Sequence, residues 1–348
     1  MNCCIECFRD SEIRTIIDSL DSIGDCDFCG VKNVKIHLIG ENSTISDYLR
    51  EVIELYNISS NGKPIEEALL EDWNIFNMSP QAIKSLIQTI YPTQNLSSVS
   101  IPQFSDYDYL KEFGIVKGKS WQEFANSIKY DNRFHNGIFN PDAFAIFLSY
   151  SVKIYPEGTK MLRARICHNK NKFSIDEMGA PPPEKLQAGR INPEGIAVLY
   201  LSSEKETALK EVKASVFDFV TIGDFIATKG IKVVDLLKLA TISPFLLQNK
   251  NEKDTNILTQ YVINRKVLKD ISTEVAKPLR RNDSTLEYLP TQFIAEFIKS
   301  QDYDGVEYAS TMSEHSYNLA MFDKASFKCE NTYVCEISKL LYETKEIS

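Results

Sequence analysis

The chain lacks a surplus of positive charge. Its 39 Lys and Arg stand against 48 Asp and Glu, for a formal net charge of −9 and a pI near 5.2. General binders of nucleic acid or anionic membrane carry the opposite balance, because they must meet phosphates. Nucleic acid is therefore not an expected partner, and any field that attracts an anionic ligand must be local. No run reaches the roughly 18 apolar residues of a membrane span, and charges stand near the N-terminus where a signal peptide is apolar. The expectation is a cytoplasmic protein with no membrane partner. Also missing are a Gly-rich phosphate loop, a zinc-protease helix and a GxSxG elbow. The four histidines, His37, His135, His168 and His315, are scattered, which leaves a Cys-His or Ser-His nucleophile unsupported. Arg163 and His168 have the Arg-x-x-x-x-His spacing of some helical ribonucleases, but on a strand that separation sends the two side chains to opposite faces.

A disulfide framework is excluded by where the cysteines lie. Five of the eight fall within the first 29 residues, an uneven distribution that fits metal binding in a reducing compartment. Cys4-x-x-Cys7 and Cys26-x-x-Cys29 have the spacing that wraps two pairs of sulfurs around a tetrahedral ion. Four thiolates close the shell, so the expected ion is a structural zinc. Cys3 competes with Cys4 as a ligand, and free or redox-active thiols are the alternative. Between the pairs, Ile13, Ile16, Ile17, Leu20 and Ile23 repeat at helical spacing, with Gly24 as a stop.

At 348 residues and 43% hydrophobic content the chain is long enough for two domains with sizeable cores. From His37 to Tyr150 the pattern is mainly helical, with predicted starts at Thr44-x-x-Asp47, Ser79-Pro80, Ser120-x-x-Glu123 and Asn140-Pro141. Beyond residue 151 short strands and helices alternate. MLRARIC reads as a strand, Pro290 opens a helix, and VEYAS and NLAMF read as strands. The expected organisation is a zinc-binding CxxC element over 1–32, a helical N-terminal domain over 33–152 and an α+β domain over 153–340.

One stretch, GRINPEGIAVLYLSSEKETALKEV from Gly189, gathers chemistry. Arg190 lies in a turn marked by Asn192-Pro193-Glu194-Gly195. Tyr200 lies in a short apolar strand, and Glu211 on a helix that Ser203-x-x-Glu206 is expected to cap. A guanidinium grips phosphate, a tyrosine stacks or hydrogen-bonds, and a carboxylate stabilises an oxocarbenium-like centre. Each also has a plain explanation: Arg190 as a turn ion pair, Tyr200 as core, Glu211 as a solvated face. Spacing alone favours those plain readings.

This stretch resembles the signature of RES-domain proteins, named for Arg, Glu and Ser, many of which are toxins of bacterial toxin–antitoxin pairs. DGVEYAS followed by NLAMF is similar to the segment supplying the family serine, here Ser310. MLRAR is similar to the domain's first strand, which makes Arg163 a secondary candidate. The resemblance covers about residues 155 to 330. It implies an α+β fold similar to ADP-ribosyltransferases, with a split β-sheet around an NAD cleft, preceded here by the mainly α-helical domain and its zinc element. It also implies degradation of NAD at the nicotinamide ribose bond by phosphorolysis or hydrolysis. In that case Arg190, Tyr200, Glu211 and Ser310 are the catalytic set, and Arg163, Arg190 and Tyr200 bind NAD. Arg163, Arg165, Lys185 and Arg190 would supply the local positive field. Inorganic phosphate and an antitoxin or regulatory protein are further implied partners. Transfer of ADP-ribose to a protein, or nucleotide binding without turnover, are the alternatives.

Overall fold

The computed structural model describes residues 1–40, 43–101, 107–168, 170–182, 184, 186–248, 257–278, 284–310 and 316–340. The chain divides into two compact units, Met1–Leu110 with Thr241–Arg265, and Lys111–Ala240 with Lys266–Ser348.

In the first unit, strands β1 (Asn2–Cys4), β2 (Ile23–Gly24) and β3 (Val34–Leu38) form a small antiparallel sheet in the order β1-β3-β2. The isoleucine repeat forms a helix over Ser11–Asp18 that buries Ile13 and Ile17, capped by Asp10 accepting from the N–H groups of Glu12 and Ile13. This helix stops short of Gly24, because Ile23 and Gly24 pair with Lys35 and Val34 instead. Helices Thr44–Ile53 and Pro80–Ile90 lie where their start signals place them, with Ser43 rather than Thr44 capping the first and Ser79 the second. Strands β4 (Asn57–Lys63) and β5 (Val99–Ser100) pair antiparallel.

The second unit takes in Lys111–Tyr150, a stretch expected in the helical N-terminal domain. The reason is an aromatic cluster. The Phe139 ring lies 5.9 Å from Phe124, 5.7 Å from Phe144, 5.1 Å from Phe293 and 5.3 Å from Phe297. Helices Trp121–Asn126, Pro141–Tyr150 and Leu289–Ser300 are tied together by rings that bury large apolar areas and meet mostly edge to face.

The rest of this unit is a sheet of β6 (Val152–Tyr155), β7 (Lys160–Cys167), β8 (Leu199–Ser202), β9 (Phe219–Ala227), β10 (Ile231–Asp235), β11 (Gly305–Ala309), β12 (Tyr317–Met321) and β13 (Phe327–Glu336). Their order is β13-β9-β7-β8-β12-β11-β10-β6. Only β10 and β11 run parallel among the described strands, which makes the sheet mixed and the class α+β. Its continuity is thin at one place. The three-stranded part β13-β9-β7 and the five-stranded part meet at the pair Leu162 and Ser202, the one registered between β7 and β8. The split expected from the family resemblance is thus a near-break in one sheet.

Alternation along the strands assigns the faces. Leu199, Leu201, Leu319 and Met321 join Tyr155, Met161, Phe225 and Val233 in a buried core, while Tyr200, Ser202, Tyr308 and Asn318 line a cavity. Over β7 and β9, Ala164, Val220 and Ile222 pack with Ala208 of helix Lys205–Glu211. That helix lacks the expected Ser203 cap. The Ser203 hydroxyl accepts from the Tyr317 N–H at 3.1 Å, so it ties β8 to β12, and the helix begins after Glu204.

Candidate active site and metal centre

The cavity lies where the two parts of the sheet meet. It has a volume of about 260 Å³ and is lined by Arg163, Arg190, Tyr200, Glu211, Tyr308 and Asn318 among others. This is below the roughly 300–1,000 Å³ of sites that enclose a drug-sized ligand, so it can enclose only part of a ligand of that size.

Arg190 is delivered by a turn that folds tightly on itself. Gly195 takes a φ of +80° that side chains rarely adopt. Gly189 has no room for a Cβ, which would lie 2.6 Å from Asn192 Oδ1 and 3.0 Å from the Tyr200 hydroxyl. Helix Leu289–Ser300 pins the turn. The Thr291 hydroxyl donates to the Arg190 carbonyl at 2.7 Å, and Gln292 Nε2 donates to the carbonyls of Gly189 and Asn192 at 2.8 and 3.0 Å.

Held this way, Arg190 donates from Nη1 to the Ala276 carbonyl at 2.8 Å and from Nη2 to Glu211 Oε2 at 2.9 Å. Its guanidinium also lies 5.5 Å from the centre of the Tyr308 ring. Burial opposes the charge, yet Tyr308 and Glu211 together keep its pKa above the usual value. The Tyr200 hydroxyl donates to Asn192 Oδ1 at 2.8 Å and accepts from the Ile191 N–H at 3.3 Å. Burial pushes the phenols of Tyr200 and Tyr308 upward, so both are neutral near pH 7.

Arg163 enters from β7. Its Nη1 is buried and has no hydrogen-bond partner among the described residues. Burial, then repulsion from Arg165, lowers its pKa to about 10. A buried cation with an unsatisfied donor is costly, and an anion in the cavity would relieve that cost.

Arg163, Arg190, Tyr200 and Glu211 are therefore brought together. Ser310 is placed differently. It follows β11, is buried, and its N–H donates to the Ser316 carbonyl at 3.2 Å; it does not line the cavity. Arg165 donates to the Glu177 carbonyl and lies 4.0 Å from the Phe173 ring centre, and it too is not among the lining residues. Lys185 lies outside the described residues, as does the segment 311–315 after Ser310.

Sequence reasoning missed Tyr288, Tyr308, Ser202 and Asn318, all of which line the cavity. The available signal was an amide within the otherwise apolar strand NLAMF. Its meaning needs the register that sets Asn318 beside Ser202.

In the first unit the sulfurs of Cys4, Cys7, Cys26 and Cys29 all lie within 4.8 Å of one another. Separations are 3.8 Å for Cys4–Cys7, 3.4 Å for Cys4–Cys29 and 3.6 Å for Cys7–Cys26. A tetrahedral ion with Zn–S bonds of about 2.3 Å sets its sulfurs about 3.8 Å apart, so this cluster can hold zinc. Cys4, not Cys3, belongs to the set of four. Burial pushes the Cys4 thiol up. Cys26 is lowered to about 7 against its own burial, because it accepts hydrogen bonds from the backbone of Cys29 and Phe28. Thiols this crowded ionise together only around a cation.

The fold and the cavity define a mixed α/β domain with a candidate active site at a near-break in its sheet. The RES-domain family model matches residues 162–338, which is 177 of the 348 residues, so the chain belongs to the RES-domain family. Among solved structures, it is similar to a chain in the crystal structure of the M. tuberculosis MbcT–MbcA toxin–antitoxin complex. The identity is 9% and the TM-score 0.32, with 56% of this chain and 92% of that chain covered. Comparison with curated proteins gives no match. No helix among the described residues is long and apolar enough to cross a membrane.

Proposed function

We propose that this protein degrades NAD by cleaving the bond between nicotinamide and ribose, and that it serves as a cytoplasmic bacterial toxin or defence effector. The observation that carries this reading is the convergence of Arg163, Arg190 and Glu211 on one cavity, within the domain that defines the family.

Departure of nicotinamide takes the bonding electron pair onto its ring nitrogen, which neutralises the pyridinium and leaves positive charge on the ribose carbon. The Glu211 carboxylate opposes that charge, as carboxylates do in glycoside cleavage. Water or inorganic phosphate then adds at the same carbon and loses a proton, giving ADP-ribose or its phosphorylated form. Arg190 is suited to the pyrophosphate or nicotinamide-ribose region and Arg163 to a phosphate group. Tyr200, neutral and fixed by two hydrogen bonds, shapes the nicotinamide end. Ser310 takes a substrate-positioning role from the family pattern. Zinc at the cysteine cluster is structural, and a cognate antitoxin or regulatory protein is the macromolecular partner in this proposal.

The test is NMR product analysis of purified protein with NAD, with and without phosphate. Free nicotinamide is expected, together with ADP-ribose or a phosphorylated ADP-ribose that identifies the acceptor. No nicotinamide under either condition, with any partner removed, overturns the proposal. Labelled NAD that ends on a protein band redirects it to ADP-ribosyl transfer.

A further inference from the structure

We propose that Asn318 is a positioning residue for Glu211, and that Ser202 anchors the amide from its other side. The link to turnover rests on the NAD-cleaving reading; the geometric part stands without it.

Glu211 ends a seven-residue helix, and its flexible side chain needs both oxygens held to have one position. Oε2 is held by Arg190 and Oε1 by Asn318 Nδ2, each at 2.9 Å. Asn318 is in turn held by the Ser202 hydroxyl, which donates to its Oδ1 at 2.7 Å. A flipped amide would set an oxygen against the carboxylate, two acceptors face to face. The carboxylate, which can only accept, therefore selects the orientation that offers it a donor, and the Ser202 hydroxyl anchors the amide oxygen left on the other side.

The location argues for a dedicated role. Asn318 is only 1% exposed, and it is the amide in the strand Tyr-Asn-Leu-Ala-Met, where an aliphatic residue would suit a central strand better. It pairs with Ser202 on one side and Tyr308 on the other, so it sits on the sheet surface lining the cavity. An anionic substrate that attracts Arg190 competes with Glu211 for the guanidinium. Asn318 then remains as the hold that keeps the carboxylate facing the reacting carbon.

Three variants test this: Asn318→Leu, Asn318→Asp and Ser202→Ala. In nicotinamide release, Asn318→Leu should lower kcat by roughly 10- to 100-fold, the range for a lost hydrogen bond to a charged group. Its KM for NAD should stay within about twofold. Asn318→Asp should be impaired at neutral pH and recover as pH falls, because one proton shared between the two carboxyl groups recreates a donor. Ser202→Ala should fall between wild type and Asn318→Leu. A merely structural role would not produce the inverted pH response. Crystal structures of wild type and Asn318→Leu give a readout independent of turnover, in which the Glu211 carboxylate should leave its wild-type position. An Asn318→Asp profile identical to wild type, or an unmoved Glu211 in Asn318→Leu, overturns the proposal. A wild-type protein that releases no nicotinamide defeats the NAD reading, and the crystal structures still decide whether Asn318 positions Glu211.

Discussion

Arg190 and Glu211, 21 residues apart in the chain, meet as an ion pair at 2.9 Å in the wall of the cavity. The arginine reaches it from a turn pinned by a helix a hundred residues later, and the glutamate from the end of the helix that follows β8. Neither is free to wander, so the pair sets a fixed local field in a half-enclosed space. Glu211→Gln keeps the shape and removes the charge. The expectation is a loss of roughly 10²- to 10³-fold in nicotinamide release with little change in melting temperature. Arg190→Lys should also fail, because an ammonium cannot span the Ala276 carbonyl and the carboxylate as a planar fork does. Steady-state kinetics beside thermal denaturation checks both.

Arg163 should show opposite effects on stability and on binding. Its buried Nη1 has no hydrogen-bond partner among the described residues, which is costly, so Arg163→Met should leave stability unchanged or raise it by about 1 kcal/mol. The same change should raise the KM for NAD about tenfold or more, since a charge-assisted contact is worth about 1.5–3 kcal/mol. Phosphate should raise the melting temperature of wild type and not of Arg163→Met. Calorimetry and kinetics on the two proteins decide it.

The cysteine cluster predicts about one zinc per chain, measurable by elemental analysis of protein prepared without chelator. Cys26→Ser should lose the metal and lower the stability of the first unit, while Cys3→Ser should keep it. A wild-type content below half an equivalent would exclude the site.

Glu307 gives a prediction in pH. It is 2% exposed, with Oε1 accepting from Lys153 at 2.8 Å and Oε2 from the Tyr155 hydroxyl at 2.5 Å. Burial raises its pKa above the usual carboxylate value despite those donors, and Asp235 adds to the rise. The folded state therefore binds the proton more tightly than the unfolded state. Its stabilising contribution is complete below the unfolded value near 4.5 and is lost as pH rises through the folded value. Wild type should lose stability relative to Glu307→Gln as pH rises from about 4 toward neutrality. Urea titrations across that range measure the slope.

Several features were legible because they are local. Ser79, Ser120 and Asn140 cap the helices they were expected to open. The strands holding Arg163, Tyr200 and Asn318 also follow from runs of a few residues, and the two CxxC pairs needed only spacing. Failures came where a distant strand competed for the same group. Ser203 could not cap because Tyr317 takes its hydroxyl, and Ile23 could not extend a helix because Lys35 pairs with it. The stretch Lys111–Tyr150 reads as helical, but its aromatics find their partners in Phe293 and Phe297.

Most of the elements, the family and the candidacy of Arg190, Tyr200 and Glu211 could be read along the chain, since each depends on propensity, spacing or a contiguous motif. It took the folded chain to show that Arg163 lines the same cavity with no partner for its Nη1 among the described residues, that Ser310 is not among the lining residues, and that Asn318, backed by Ser202, holds Glu211. Those facts follow from strand register and from the near-break at Leu162 and Ser202, and register is a relation between segments that no single segment contains.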